Sequence, residues 1–163
     1  MWLKIKNKYI WNEELECVEI CLCDKKQNYI ISTLIDWEDY DKVKKYKWNL
    51  WDGRVNTRIK SKIVRLHRLL LNCPKGLEID HIDHNQLDNR KSNLRICNKS
   101  QNQMNRKNVS GVCSYNKTNR WRAHIMVNQK QIHLGIFDSR KEALKVRHKA
   151  EKKYFGEFAY SCN

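Results

Sequence analysis

Between residues 79 and 95 the chain reads IDHIDHNQLDNRKSNLR, a window holding Asp80, Asp83 and Asp88, His81 and His84, and Asn85, Asn89 and Asn93. Carboxylate and carboxamide oxygens are ligands for hard divalent cations. An imidazole titrates near neutral pH and can move a proton. The same residue types also suit a plain surface loop, because Asn and Asp bond their own backbone in turns. The window is therefore either a polar turn or an active site that needs oxygen ligands, a base and a rigid loop.

The surrounding elements bear on that choice. LHRLLLN (66–72) reads as a short helical turn, ended by Cys73-Pro74 and Lys75-Gly76. LEIDHI (77–82) reads as a strand, residues 83–93 as a polar loop, LRIC (94–97) as a second strand and KSQNQMNRK (99–107) as a helix. Upstream, YIISTLI (29–35) has strand composition, and Asp36 is placed to cap a short helix presenting Trp37, Tyr40, Val43 and Tyr46 on one face. WNLWDGRVNTRI predicts a hairpin, with Asp52-Gly53 supplying the positive-φ turn. Downstream, SGVCSYN, RWRAHIMV and QIHLGIF predict three successive strands. A helix follows, capped by Asp138 or Ser139, with Ala143, Val146, Ala150 and Tyr154 on one face, and it ends at Gly156.

Strand, loop, strand and helix in that order, carrying Asp80-His81, Asn93 in SNLR and Asn102 in SQNQMN, resemble the HNH family of nucleases. The flanking HRLLL, LDNRKSNLR and SQNQMNR are similar to its homing-endonuclease branch. The resemblance implies a ββα-metal module over 61–107 that grips one divalent ion, Mg²⁺ or Mn²⁺, between Asp80 and Asn102. It implies His81 as general base and Asn93 as the residue that pins the loop and helps to position His81. Phosphodiester hydrolysis requires what such a set supplies: a cation to absorb charge on phosphate and leaving oxygen, and a base to activate water. Relatives often carry glycine in the loop, where this chain has Asp83-His84-Asn85-Gln86; His84 and Asn85 are types that tolerate positive φ. His84 is alternatively an extra ligand or phosphate contact, and His67 reads as structural.

The chain's 33 Lys+Arg outnumber its 18 Asp+Glu, for a net charge of +15. The excess is +2 over residues 1–60, +4 over 61–99 and +9 over 100–163. A positive field concentrated toward the C-terminus suits a polyanion, above all double-stranded DNA. No apolar run approaches a membrane span and the N-terminus lacks a signal-peptide pattern, so a cytoplasmic location in a bacterial host or a phage-encoded protein is expected. Cys17, Cys21 and Cys23 invite a zinc reading, but no second Cys/His pair follows at zinc-finger spacing, and small buried thiols are the alternative.

Residues 108–163 resemble the APETALA2/ethylene-response-factor DNA-binding domain through Gly111-Val112, Trp121, Leu134-Gly135-Ile136-Phe137, Glu142-Ala143 and Phe155-Gly156. That family lays a three-stranded sheet, backed by a helix, into the major groove. Strand alternation turns Trp121, Ala123 and Ile125 toward the helix and leaves Arg122, His124 and Met126 for DNA. Gln131 and His133 join them from the third strand, with Tyr115, Lys117 and Arg120 near the first turn. Ser110, Cys113 and Gln131 stand where the plant domains carry arginines, and Arg147 where an aromatic is usual, which implies a different target sequence.

The expected fold class is α+β: a mixed α/β N-terminal scaffold (1–60), an HNH module (61–107), and a three-stranded antiparallel sheet packed on one helix (108–163). The expected function is a site-specific, metal-dependent DNA endonuclease of homing type, nicking as a monomer or cutting both strands as a homodimer. The alternatives are a DNA-binding regulator with a decayed nuclease module and, less in keeping with a major-groove sheet, an RNA-binding protein.

Overall fold

The computed structural model describes residues 7–24, 26, 28–106, 111–116 and 119–160. The chain is mixed α+β, with several small antiparallel sheets and few helices, as expected. It divides into two compact units, residues 1–98 and 99–163. The division expected near residue 60 falls inside the first unit.

In the first unit β1 (Tyr9–Asn12), β2 (Cys17–Cys23) and β3 (Tyr29–Ile35) form an antiparallel sheet in that order. β2 is central and buried along most of its length. Val18, Ile20 and Leu22 alternate into the main core, whereas Cys17, Cys21 and Cys23 share the other parity. All three are free thiols, and burial pushes Cys17 up, away from the thiolate that zinc requires. Among the described residues no group of three or more His, Cys, Asp or Glu is placed to hold a metal ion.

A 3₁₀ turn, Trp37–Asp39, leads into the single helical turn α1 (Tyr40–Val43). The expected apolar face is only partly realised. Val43 is buried, but Trp37 is 59% exposed, because a helix of one turn presents too little surface to seat three aromatic rings. Asp36 precedes the turn without capping it.

β4 (Asn49–Trp51), β5 (Arg54–Ile59) and β6 (Lys62–Arg65) form a second antiparallel meander. Asp52 (φ 53°) and Gly53 (φ 67°) take the two positive-φ positions of the tight turn joining β4 to β5, as their sequence predicts. α2 (Leu66–Leu70) follows, then β7 (Glu78–His81) and β8 (Leu94–Cys97), which pair antiparallel. One core joins all of these: Ile20, Ile35, Val43 and Leu66 pack with Leu70 and Leu94 around the fully buried Trp48. Trp48 Nε1 donates to Val43 O at 3.0 Å, satisfying the polar atom of the ring.

The second unit begins with α3 (Lys99–Met104), shorter than expected; Lys107 lies outside the described residues. β9 (Val112–Ser114), β10 (Trp121–Val127) and β11 (Lys130–Phe137) form a sheet with β10 central, packed against α4 (Arg140–Phe155). Ser139 is the cap, accepting from Glu142 N at 3.1 Å, while Asp138 pairs with Arg120 at 3.0 Å. The buried stripe of α4 is Ala143, Arg147, Ala150 and Glu151, in place of the expected one through Val146 and Tyr154. Arg147 carries its charge inside because Glu151, one turn on, meets it at 2.9 Å. Gly111 sits at φ 52° where an added Cβ would meet the His124 carbonyl and Arg147, so a side chain there would collide with backbone.

Candidate active site

The β7–β8 hairpin sets the frame. Its register places Asp80 opposite Arg95 and His81 opposite Leu94. Successive strand residues point to opposite faces, so Asp80 and His81 leave the hairpin on different sides. Asp80 is 7% exposed, and Arg95 reaches its Oδ2 with Nε at 2.9 Å and Nη2 at 2.5 Å. A buried carboxylate needs such a partner. Asp80 is thus oriented by its cross-strand neighbour, and a second cation there would share the carboxylate with the guanidinium.

His81 turns toward the interior of the unit. Its ring meets the His67 ring edge to face, with centroids 5.4 Å apart and planes at 88°. His81 Nε2 lies 3.4 Å from Asn89 Oδ1. Asn89 is 1% exposed, and its Nδ2 donates to Thr33 Oγ1 at 2.9 Å and Gln86 O at 3.3 Å. Those two donations fix which end of the amide is oxygen. His81 therefore donates from Nε2, and the lone pair of its neutral ring lies on Nδ1. Burial lowers the His81 pKa, opposed by the Asn89 hydrogen bond and by Asp83 and Asp80, so the neutral form prevails at neutral pH. His67 is buried more completely. Desolvation first, then His81 and the charges of Arg65, Arg54 and Arg68, lower its pKa to about 3.

The loop between the strands is a chain of side-chain-to-backbone turns. Asn85 N donates to Asp83 Oδ1 at 2.7 Å, Leu87 N to Asn85 Oδ1 at 3.1 Å and Arg90 N to Asp88 Oδ1 at 3.1 Å. His84 holds φ 67° where relatives often have glycine, and it is exposed. Asn93 pins the loop from inside: its Nδ2 donates to Asp88 O at 2.9 Å and its Oδ1 accepts from Asp83 N at 3.0 Å. Burial raises the Asp88 pKa, but its hydrogen bonds from the Arg90 side chain and backbone outweigh that and leave it lowered.

The N-terminal sheet fastens this loop. Leu34 N donates to Leu87 O at 2.8 Å, Asn89 N to Leu34 O at 2.9 Å and Thr33 Oγ1 to Leu87 O at 2.7 Å. Residues 87–89 thereby extend the sheet at the edge of β3, through the parallel bridge between Leu34 and Asp88. Lys91 N donates to Asp36 Oδ2 at 2.8 Å, which is where the presumptive helix cap is spent. The structure thus brings together His81, Asn93, His67, Asn89 and Thr33. It puts Asp80 with Arg95 on the other face of the hairpin, and it carries Asn102 on α3, in the second unit.

Asn89 and Thr33 are the residues that sequence reasoning did not single out. Asn89 looks like one more turn asparagine, and its partner lies 56 residues away.

Of the residues expected to face DNA, Arg120, Arg122, Met126, Gln131 and His133 are exposed and Tyr115 is half-buried. Lys117 and Ser110 lie outside the described residues. His124 opposes His133 and Met126 opposes Gln131 across β10 and β11. His124 is only partly exposed, however, with Nδ1 buried and lacking a hydrogen-bond partner, and burial lowers its pKa.

Comparison with known proteins agrees with the hairpin. Residues 72–104 match the model of the HNH endonuclease family. A protein of Acanthamoeba polyphaga mimivirus, named as an uncharacterized HNH endonuclease, is 29% identical over 126 residues, covering 72% of this chain and 67% of that protein. The family match ends at residue 104 and gives no support to the APETALA2 resemblance of the C-terminal segment. No solved structure matches the chain, and among the described residues no helix is long and apolar enough to cross a membrane. Residues 72–104 are thus similar to the HNH endonuclease family, which suggests a DNA-cleaving nuclease.

Proposed function

We propose that this chain is a site-specific DNA endonuclease of the homing type in which His81 is the general base. The observation that carries the reading is the hydrogen-bonded chain from Thr33 through Asn89 to His81, the last two of which lie inside the matched family segment. It presents a neutral imidazole, oriented by the Asn89 hydrogen bond at Nε2, as the base that takes the proton of an attacking water. Asn93 holds the loop that follows His81 and carries its partner Asn89, and so acts as a positioning residue.

Asp80 and Asn102 are the proposed ligands for Mg²⁺ or Mn²⁺. Asp80 and His81 end the same strand, near enough that the Asp80 charge acts on the His81 ring, and one phosphate is proposed to meet both at that strand end. The donor set fits such an ion, since two hard oxygens leave sites for water and phosphate, and the carboxylate is already held in one orientation by Arg95. A bound divalent ion would supply charge stabilisation at the phosphate and the leaving 3′ oxygen. Arg122, Met126, Gln131 and His133 on the C-terminal sheet, with His124, Tyr115 and Arg120 beside them and Lys117 from the sequence pattern, are proposed to contact duplex DNA as an APETALA2-like platform.

The reading is tested on duplex DNA that spans the gene's own flanks. Digestion with Mg²⁺ should leave 5′-phosphate and 3′-hydroxyl ends at one position. Ends of the opposite polarity would rule out the mechanism. Duplex binding without any cleavage of that DNA would favour the alternative, a DNA-binding regulator with a decayed nuclease module.

A further inference from the structure

The outer face of the β4–β5–β6 meander plays no part in the chemistry above, and its composition is unlike that of an inert surface. Val55 and Thr57 on β5 are buried against the core. Alternation therefore puts Arg54, Asn56 and Arg58 on the other face, where Asn56 is buried and Arg58 exposed. The register adds their neighbours: Trp51 pairs with Arg54, Arg65 with Asn56 and Ile63 with Arg58. Trp51 is 62% exposed and Ile63 48% exposed, and Arg58 and Arg65 are exposed as well. Two large apolar side chains left in solvent beside three guanidinium groups mark an interaction surface. An open groove of about 560 Å³ runs along it, and its one acidic lining residue, Asp52, is 88% exposed and 3.7 Å from Arg54.

The groove's arginines are felt at the candidate site: after burial itself and His81, the charges of Arg65, Arg54 and Arg68 help to lower the pKa of His67. Arg68, on the groove wall, ties the 73–77 turn by donating to Leu77 O at 2.9 Å and Pro74 O at 3.1 Å. The neighbouring residue on α2 is His67, whose ring packs on His81. Asn56 stiffens the floor by donating to Trp51 O at 3.2 Å and Arg54 O at 2.8 Å.

We propose that this face, with Arg54, Arg58, Arg65 and Trp51, binds the backbone of duplex DNA beside the phosphodiester that is cut. The inference rests on DNA being the substrate. The three guanidiniums supply phosphate contacts in a rigid sheet, and Trp51 supplies an apolar plate for deoxyribose. The partner is a polyanion because the face carries cations almost alone.

The test measures binding of the full-length protein to a fluorescein-labelled DNA duplex by anisotropy across a salt series, without divalent metal so that nothing is cut. The triple variant Arg54→Ala/Arg58→Ala/Arg65→Ala is compared with a charge-matched control, Lys141→Ala/Lys145→Ala/Lys149→Ala, on the exposed side of α4. Loss of three phosphate contacts should flatten the log–log salt slope by about 2.7 and weaken binding by at least about tenfold near physiological salt. The control should change the slope by less than one contact's share. The single reversal Arg58→Glu, at an exposed position, provides the same readout should the triple variant unfold. A wild type that fails to bind duplex at all overturns the DNA reading and this face with it. A wild type that binds, with face and control variants alike, overturns the face alone.

Discussion

Replacing His67 by phenylalanine should remove a specific acid sensitivity from the fold. His67 is 7% exposed, and burial, the His81 ring and three nearby arginines hold its folded pKa at about 3, against 6.5 for the unperturbed group. Below pH 6.5 the unfolded chain takes up a proton at this residue that the folded chain refuses. Stability is therefore fully present above 6.5 and falls as the pH drops toward 3. One pKa unit corresponds to about 1.4 kcal/mol, so the fold should lose about 2 kcal/mol through this residue between neutral pH and about pH 5. Most carboxylates titrate below that window. His81, also held low by burial, leaves a residual slope in the same direction. Phenylalanine keeps an aromatic ring against His81 and cannot take up a proton. Urea unfolding followed by circular dichroism at neutral pH and at about pH 5, for both proteins, reads the difference directly. If wild type and His67→Phe lose stability equally across that interval, His67 is not a buried neutral imidazole and the packing described around His81 is wrong.

Other residues give sharper readouts on function. Asn89→Leu keeps the volume but removes the acceptor at His81 Nε2, so kcat should fall by roughly 10²-fold with KM little changed; an unchanged kcat in plasmid cleavage would remove Asn89 from the account. Thr33→Val leaves the buried Asn89 amide short of one acceptor, costing about 1–3 kcal/mol by thermal melting. Arg95→Met strands the Asp80 carboxylate, which should destabilise the unit by about 3–5 kcal/mol, and added Mg²⁺ should restore part of the loss. A melting temperature of Arg95→Met indifferent to Mg²⁺ would argue against Asp80 as a ligand. Ser139→Ala should cost about 1 kcal/mol through loss of the α4 cap.

Local rules explain what was legible in the sequence. The Asp52-Gly53 turn, the four residues of β8, α2 and the β10–β11 pair are set by residues within a few positions of one another, and their patterns predicted them. The β7–β8 hairpin was legible for the same reason, since its two strands lie within one loop closure. What the sequence hid is long-range. Asp36 has the look of a helix cap, yet it accepts from a backbone amide 55 residues away. Residues 87–89 look like turn, yet they finish the edge of β3. The N-terminal sheet is therefore needed to shape the loop that carries Asn89, the partner of His81, which no periodicity in residues 1–60 could express. The α4 stripe escaped for a different reason: a buried Arg147–Glu151 pair interrupts the apolar pattern from which helical faces are read.

The central claim is that this chain cuts DNA with His81 as its base. The most direct measurement incubates supercoiled plasmid carrying the gene's flanking DNA with wild type and with His81→Ala, each with Mg²⁺ and with EDTA. The account predicts nicked or linear product from wild type with Mg²⁺ alone, and His81→Ala that still binds the plasmid while leaving it supercoiled. Equal cleavage by both proteins, or cleavage that persists in EDTA, would contradict it.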